Sequence, residues 1–373
     1  MPKDKELLLP LDYAEAAVDT MMRTYPAEDL PPKGHFHYHQ GVFLSGVYQT
    51  FKLNKNKEYL LYIKNWLDAV ISPEGEIKEA LRAELDDMQP GILLFPMIDH
   101  FADPRYKKAL DSLIEDVAAI PRTKEDGFWH KNHLPDQMWL DGLYMAGPLL
   151  AEYGARFDRP DLLDLVTKQA VLMRKNTRDE KSGLWFHAYD ESKKADWADP
   201  VTGCSSEFWG RSIGWVPVAL LNEMDVMPEE SKNYQTLKAI VTELLESICR
   251  YQSEEGRWYQ VVDKADRADN WPENSVSCLF AAALAKAYRL GLAGGGGHTR
   301  YLRAYEDVID SLSWEGEDLQ VGNVCIGTGV GDYDFYIHRP VQSNDLHGVG
   351  AFLLMCSEIA CSERCRAASG LNA

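Results

Sequence analysis

Six times along the chain a polar or aromatic cluster gives way to a glycine or other small residue and then to a long, mostly apolar run. The six copies span His37–Phe51, Asp86–Phe101, Met138–Tyr153, Arg211–Met224, Ser275–Tyr288 and Asn344–Ile359; the fifth lacks the glycine. Between them lie segments of a second kind: Tyr13–Tyr25, NKEYLLYIKNWLDAVI, YKKALDSLIEDVAAI, RPDLLDLVTKQAVLMRK, YQTLKAIVTELLESICRYQ and Thr299–Leu312. These carry apolar residues at three- and four-residue spacing with charges on the opposite side, the period of a helix with one dry face. Helices that are apolar nearly all round must be buried, and one-sided helices lie half exposed. Strict alternation of the two kinds predicts an inner ring wrapped by an outer ring. The expected fold is all-α, an α/α six-fold barrel of six inner and six outer helices, and repeats that bury a common core predict a single domain over residues 1–373. The stretches GLWFHAYD and GRWYQVVD read as short loop hairpins at one end, and the run Gly294–Gly297 as a surface loop without phosphate-binding context.

Composition narrows the function. Of the 373 residues, 45% are hydrophobic and 26% charged, the profile of a globular protein with a sizeable core. The net charge of -19, without any basic run, argues against a nucleic-acid partner and against an anionic membrane surface. The apolar run Leu7 to Leu9 is too short for a signal-peptide core, and no longer stretch replaces it. Seven scattered cysteines with no CxxC read as free thiols. A cytoplasmic protein is therefore expected. Ten Trp and 18 Tyr, many beside Gly, His or Asp, suit sugar stacking as well as core filling.

The ring geometry gathers the chemistry. Alternate helices run antiparallel, so all inner helices start at one mouth, and the clusters preceding them converge there. Asp86 and Asp141 come from neighbouring repeats. A single Asp at a helix start could simply cap it, but two facing carboxylates are the usual equipment for breaking a glycosidic bond. One of them must hold a proton, and the dry wall of Trp139 and Leu140 beside Asp141, with Asp86 as a like charge, would raise its pKa. His130 and His133 in FWHKNH, and His187 in FHAYD, are candidate sugar contacts. Arg211, framed by Trp209 and Trp215, suits a ligand carboxylate, or else a structural pair with an acidic neighbour. His35, His37 and His39 alternate in GHFHYHQ as a strand-like metal set would, but no carboxylate or cysteine lies near at a matching spacing. No metal is expected there.

These landmarks also carry a resemblance. HYHQGVF, ELDDMQPGILLFP, GFWHKNHLPDQMWLDGLYM, TGCSSEFWGRSIGW, WYQVVDKADRADNW and NDLHGVGAF occur in order over almost the whole chain. In these motifs the chain resembles the unsaturated rhamnogalacturonyl hydrolases of glycoside hydrolase family 105. The resemblance implies the same α/α barrel and removal of an unsaturated galacturonyl residue from the non-reducing end of lyase-cut rhamnogalacturonan, a pectic oligosaccharide. It implies Asp141 as catalytic acid and Asp86 as its partner, with His37, Tyr38, His130, Arg211, Trp215 and Thr328 as substrate contacts. The implied chemistry is hydration of the C4–C5 vinyl ether, which needs neither metal nor organic cofactor. Two places depart from the family pattern: Asp332 stands where an aromatic is expected, and NHLPDQ is less aromatic than usual. Rival readings are an unsaturated glucuronyl hydrolase acting on glycosaminoglycan fragments, a sugar epimerase using facing histidines among His130, His187 and His347, and a non-catalytic oligosaccharide-binding protein.

Overall fold

A computed structural model describes residues 8–79, 84–293 and 296–369. Leu7 of the short N-terminal apolar run, and Gly294 and Gly295 of the glycine run, lie outside the described residues; Gly297 opens a helix.

The two kinds of segment become two rings. The inner ring runs through α2 (Tyr38–Asn54), a broken second element ending in α4 (Leu94–His100), α6 (Asp141–Arg156), α8 (Gly210–Met224), α10 (Asn274–Arg289) and α13 (Leu346–Ser369). The outer ring is α1 (Pro10–Thr24), α3 (Lys57–Val70), α5 (Pro104–Asp116), α7 (Pro160–Thr177), α9 (Lys232–Cys249) and α11 (Gly297–Asp310). Each inner helix packs on its two ring neighbours, and α13 closes the circle against α2. The inner helices are buried on all sides; in α8 only Asn222 is not fully buried. The outer helices bury one stripe, as α3 does with Tyr59, Ile63, Trp66 and Val70. Side chains that accept backbone N–H groups start three of them, Asn56 for α3, Asp103 for α5 and Ser231 for α9, and Glu273 does the same for inner helix α10.

The expected barrel is therefore present, with one irregularity. The second inner position is not one helix but two 3-10 turns, Leu85–Asp87 and Gln89–Leu93, running into the seven-residue α4. Pro90 and Pro96 each remove a backbone donor within this stretch, and proline resists continuous α-helix. The break has a use, because it presents Asp86 from a tight turn at the mouth. At the closing seam, α2 and α13 approach closely. A Cβ on Gly350 would stand 2.7 Å from the backbone carbon of Val42, so only glycine fits.

The strands are short and lie in the connections from outer to inner helices. β1 (Gln137–Trp139) pairs antiparallel with β2 (Ala188–Asp190), setting Trp139 opposite Ala188. β3 (Ser313–Glu315) pairs with β4 (Asp318–Gln320), and β5 (Val324–Cys325) with β6 (Val341–Gln342). The expected hairpin in GLWFHAYD is thus half of a pairing with a different connection. GRWYQVVD makes isolated bridges from Tyr259 and Val261 rather than a strand. No helix among the described residues is long and apolar enough to cross a membrane.

Candidate active site

A cavity of about 280 Å³ opens at the mouth where the inner helices begin. It is smaller than the roughly 300–1,000 Å³ typical of drug-sized ligand pockets, a size for one sugar ring rather than a chain. Asp86, Asp141, His37, Tyr38, His130 and Thr328 all line it. Trp139, Lys131 and His39 complete the polar and aromatic wall.

Asp141 is the first residue of α6, held there because β1 runs straight into the helix. Its Oδ2 stands 3.2 Å from His187 Nε2. His187 is fully buried, and its Nδ1 lies 2.7 Å from the hydroxyl of Tyr336. That hydroxyl accepts the Gly331 N–H at 3.1 Å. With one acceptor site so used, Tyr336 is set to donate to Nδ1, which leaves Nε2 protonated and donating to Asp141. Burial lowers the His187 pKa more than Asp141 raises it, so the ring is neutral. Burial also pushes Asp141 upward, but the hydrogen bond from His187, with the electrostatic influence of the two neighbouring imidazoles, brings it below the ordinary carboxylate value.

Asp86 has partners of its own. Its Oδ1 lies 3.4 Å from His130 Nε2, and its Oδ2 2.7 Å from Lys131 Nζ. Burial is the largest single influence on it, yet His130 and Lys131 together overcome that and drive its pKa far down. This corrects the expectation that Asp86 would hold Asp141 protonated as a bare like charge. Asp86 is neutralised by its own cation, and both carboxylates are ionised in the free protein. His130 stacks on Trp139 with ring centroids 4.5 Å apart, and Trp139 meets His187 edge-on at 5.5 Å, so one aromatic plate separates the two carboxylate clusters.

Tyr38 packs against both His37 and His39, whose rings stack on each other with their Nδ1 atoms 3.0 Å apart. Burial lowers the pKa of both imidazoles, so one neutral ring donates to the other. Thr328 donates to the Ile326 carbonyl at 2.7 Å and receives Arg339 Nε at 3.1 Å, which fixes the glycine-flanked loop on the cavity rim.

Four expected contacts sit elsewhere, and the first, His187, is fully buried against Asp141 and does not line the cavity. Arg211 is buried behind β5 and gives its guanidinium to the carbonyls of Cys325 and Ile326, with Glu273 at 3.9 Å and the Trp209 ring beneath it. Trp215 is 1% exposed and stacks on Tyr144 in the core. Neither lines the cavity: Arg211, in the first turn of α8, turns behind β5, and Trp215, one turn further on, projects into the packed ring. His133 lies outside as well, with its side chain 69% exposed. Sequence reasoning passed over Lys131, which reads as a solvated loop lysine next to His130. It also passed over Tyr336, whose loop carries no helical or strand periodicity.

Residues 13–362 match the family model described as Glycosyl Hydrolase Family 88. The chain superposes on a structure of a glycoside hydrolase from family 105 of C. acetobutylicum ATCC 824 with a TM-score of 0.88 and 32% identity, covering 94% of this chain and 99% of that one. It is 33% identical over 229 residues to protein Atu3128 of Agrobacterium fabrum, covering 57% of this chain and 97% of that protein. It is 23% identical over 298 residues to the unsaturated rhamnogalacturonyl hydrolase YesR of Bacillus subtilis, covering 78% of this chain and 79% of the relative.

Proposed function

The chain belongs to the glycoside hydrolases of families 88 and 105, and from that premise we propose that it removes an unsaturated galacturonyl residue from the non-reducing end of lyase-cut rhamnogalacturonan. The observation that carries the reading is the carboxylate of Asp141, aimed into a one-sugar cavity and held by a hydrogen-bonded imidazole. The relative YesR, named for this activity, supports the choice of leaving sugar. The proposed unit of action is one catalytic domain. The seven unpaired cysteines suit a reducing compartment, and we place the enzyme in the cytoplasm.

The substrate's C4–C5 double bond is conjugated with the ring oxygen. Protonated Asp141 gives its proton to C4, and positive charge spreads over C5 and the ring oxygen. Water adds at C5 and returns a proton to Asp141, so one carboxylate serves as acid and then base. The hemiketal at C5 opens by breaking the bond from C5 to the ring oxygen. A ketone remains at C5 and a hemiacetal at C1, and the hemiacetal expels the leaving sugar. The substrate carboxylate raises the Asp141 pKa on binding, by adding a like charge and excluding water. Asp86, His37 and Tyr38 hold the ring hydroxyls, and His130 supports Asp86. Lys131 brings positive charge to the wall that a uronate would face. Arg211 acts as a positioning residue through the Cys325–Thr328 segment. No step passes through a metal or cofactor.

The test is direct. Lyase-cut rhamnogalacturonan loses the ultraviolet absorbance of its conjugated double bond when the enzyme is added, and rhamnose-ended product accumulates. Asp141→Asn folds normally and is slower by at least ~100-fold, the low end of what general acid catalysis contributes. Unchanged absorbance with every unsaturated pectic fragment, but turnover of unsaturated glycosaminoglycan fragments, would move the substrate to the glucuronyl class.

A further inference from the structure

The histidine-rich start of α2 finds its missing carboxylate at the far end of the chain. His39, Asp345 and His347 each offer a ligand atom, and these atoms all lie within 4.8 Å of one another. Asp345 and His347 sit where α13 begins, so the cluster bridges the first and last inner helices across the closing seam. We propose that His39, Asp345 and His347 form a binding site for a divalent transition cation such as Zn²⁺, with its open side towards the catalytic cavity.

The argument begins with His347, which is fully buried. Its Nε2 is 3.0 Å from the Cys325 carbonyl, which can only accept, so Nε2 carries the proton. A ligating imidazole usually donates its other N–H to a backbone carbonyl or carboxylate in this way. Its Nδ1 is buried with no hydrogen-bond partner, although Asp345 Oδ1 lies only 2.6 Å away. The nitrogen is therefore close to the carboxylate but not aligned for a hydrogen bond with it. That is the relation of two neighbouring ligands whose lone pairs meet at a third point rather than at each other. Zn²⁺ binds imidazole nitrogen and carboxylate oxygen at roughly 2.0–2.2 Å. Donor atoms in such a shell stand farther apart than 2.6 Å, so a small rotation of Asp345 would open the pair around an ion.

His39 supplies the third ligand. Its Nδ1 faces His37 Nδ1 at 3.0 Å, which leaves Nε2 for the cation. His39 lines the catalytic cavity, whereas Asp345 and His347 are not among its lining residues. The cation would lie behind the cavity wall, and binding would fix His39 as the ring that donates to His37. Two imidazoles and one carboxylate suit Zn²⁺ and its neighbours in the first transition row over Mg²⁺ or Ca²⁺, which prefer oxygen shells. Arg211, whose charge acts on Asp345, already has Glu273 at 3.9 Å to offset it.

The test reads binding rather than turnover, so it stands apart from the assignment of substrate. The whole protein is stripped with a chelator, desalted, and equilibrated with Zn²⁺ or Co²⁺. The expected result is one zinc retained per chain, a higher melting temperature than the stripped protein, and a Co²⁺ visible spectrum of a low-coordinate nitrogen and oxygen shell. Asp345→Asn and His39→Ala are each expected to weaken binding by at least ~10-fold, since even outer partners of a metal site contribute that much. His35→Ala, which alters an exposed residue, binds as the wild type does. If Asp345→Asn does not fold, the wild-type Co²⁺ spectrum and the His39→Ala titration decide. Failure of the folded wild type to retain either metal, or retention unchanged in both variants, overturns the proposal.

Discussion

At the scale of single residues, the chemistry rests on two carboxylates that look alike in sequence and have different surroundings. Asp86 faces Lys131 and His130, and Asp141 faces His187. Both pKa values lie below the ordinary carboxylate value in the free protein. The proposed acid form of Asp141 is then a minor species above that value. Because kcat/KM reports the free enzyme, it is expected to fall by about tenfold per pH unit as pH rises from 5 to 7, while kcat, which reports the complex, holds to higher pH. A pH profile of both constants checks this, and a kcat/KM that rises over that interval would remove Asp141 from the acid role. Asp86, Asp141 and His130 were legible as residues of one mouth because each begins an inner helix or lies in the cluster before one, whereas His37, Tyr38 and Thr328 were named as contacts by the family resemblance. The pKa order was not legible. It depends on Lys131 and on the Tyr336 hydroxyl, which reach the carboxylates from loops whose path has no periodic signal.

Among the elements, β5 and the loop that follows it depend most on a buried charge. Arg211 reaches from the first turn of α8 to two carbonyls of that segment, and Glu273 at the cap of α10 receives the Cys325 N–H at 2.8 Å. Removing the guanidinium leaves Glu273 buried without its cation and takes one donor from each of two carbonyls, which keep His347 and Thr328. Arg211→Ala is expected to lose about 3–5 kcal/mol of stability, the range for breaking a buried pair, and to raise KM through a displaced Thr328. A denaturant titration with steady-state kinetics checks both. A variant with raised KM and unchanged stability would instead put Arg211 on the substrate, as the aromatic frame of Trp209 and Trp215 suggested. That frame misled because Trp215 lies one helical turn beyond Arg211, and the turn faces Tyr144 in the core. The irregular second inner element was equally hidden: its hydrophobic pattern is helical, and only Pro90 and Pro96 hinted at the break.

For the whole molecule, alternation of all-apolar and one-sided helices was enough to predict the double ring, because a helix buried on every side has no other place to go. What it did not reveal is how tightly the ring shuts, which depends on Gly46 and Gly350 where α2 meets α13. It also hid Glu223, a carboxyl buried in the ring whose Oε2 has no partner and whose pKa burial raises well above its ordinary value. Such a group is neutral in the fold and ionised when unfolded, so it destabilises the protein increasingly as pH climbs past the unfolded value of about 4.3. Glu223→Gln is expected to melt with the wild type in acid and above it at pH 7; equal melting temperatures at both would mean that Glu223 is not held neutral. The central claim is that this barrel cleaves by hydrating a double bond at Asp141 rather than by protonating the glycosidic oxygen. An unsaturated galacturonide with sulfur in place of the glycosidic oxygen separates the two routes, since in hydration the bond at C1 breaks only after the ring has opened. The account predicts that the enzyme consumes this compound at a rate comparable to the oxygen-linked one, releasing the thiol and losing absorbance together, and that Asp141→Asn does neither. A thio-linked substrate that binds but stays intact, beside rapid cleavage of the oxygen-linked one, would contradict it.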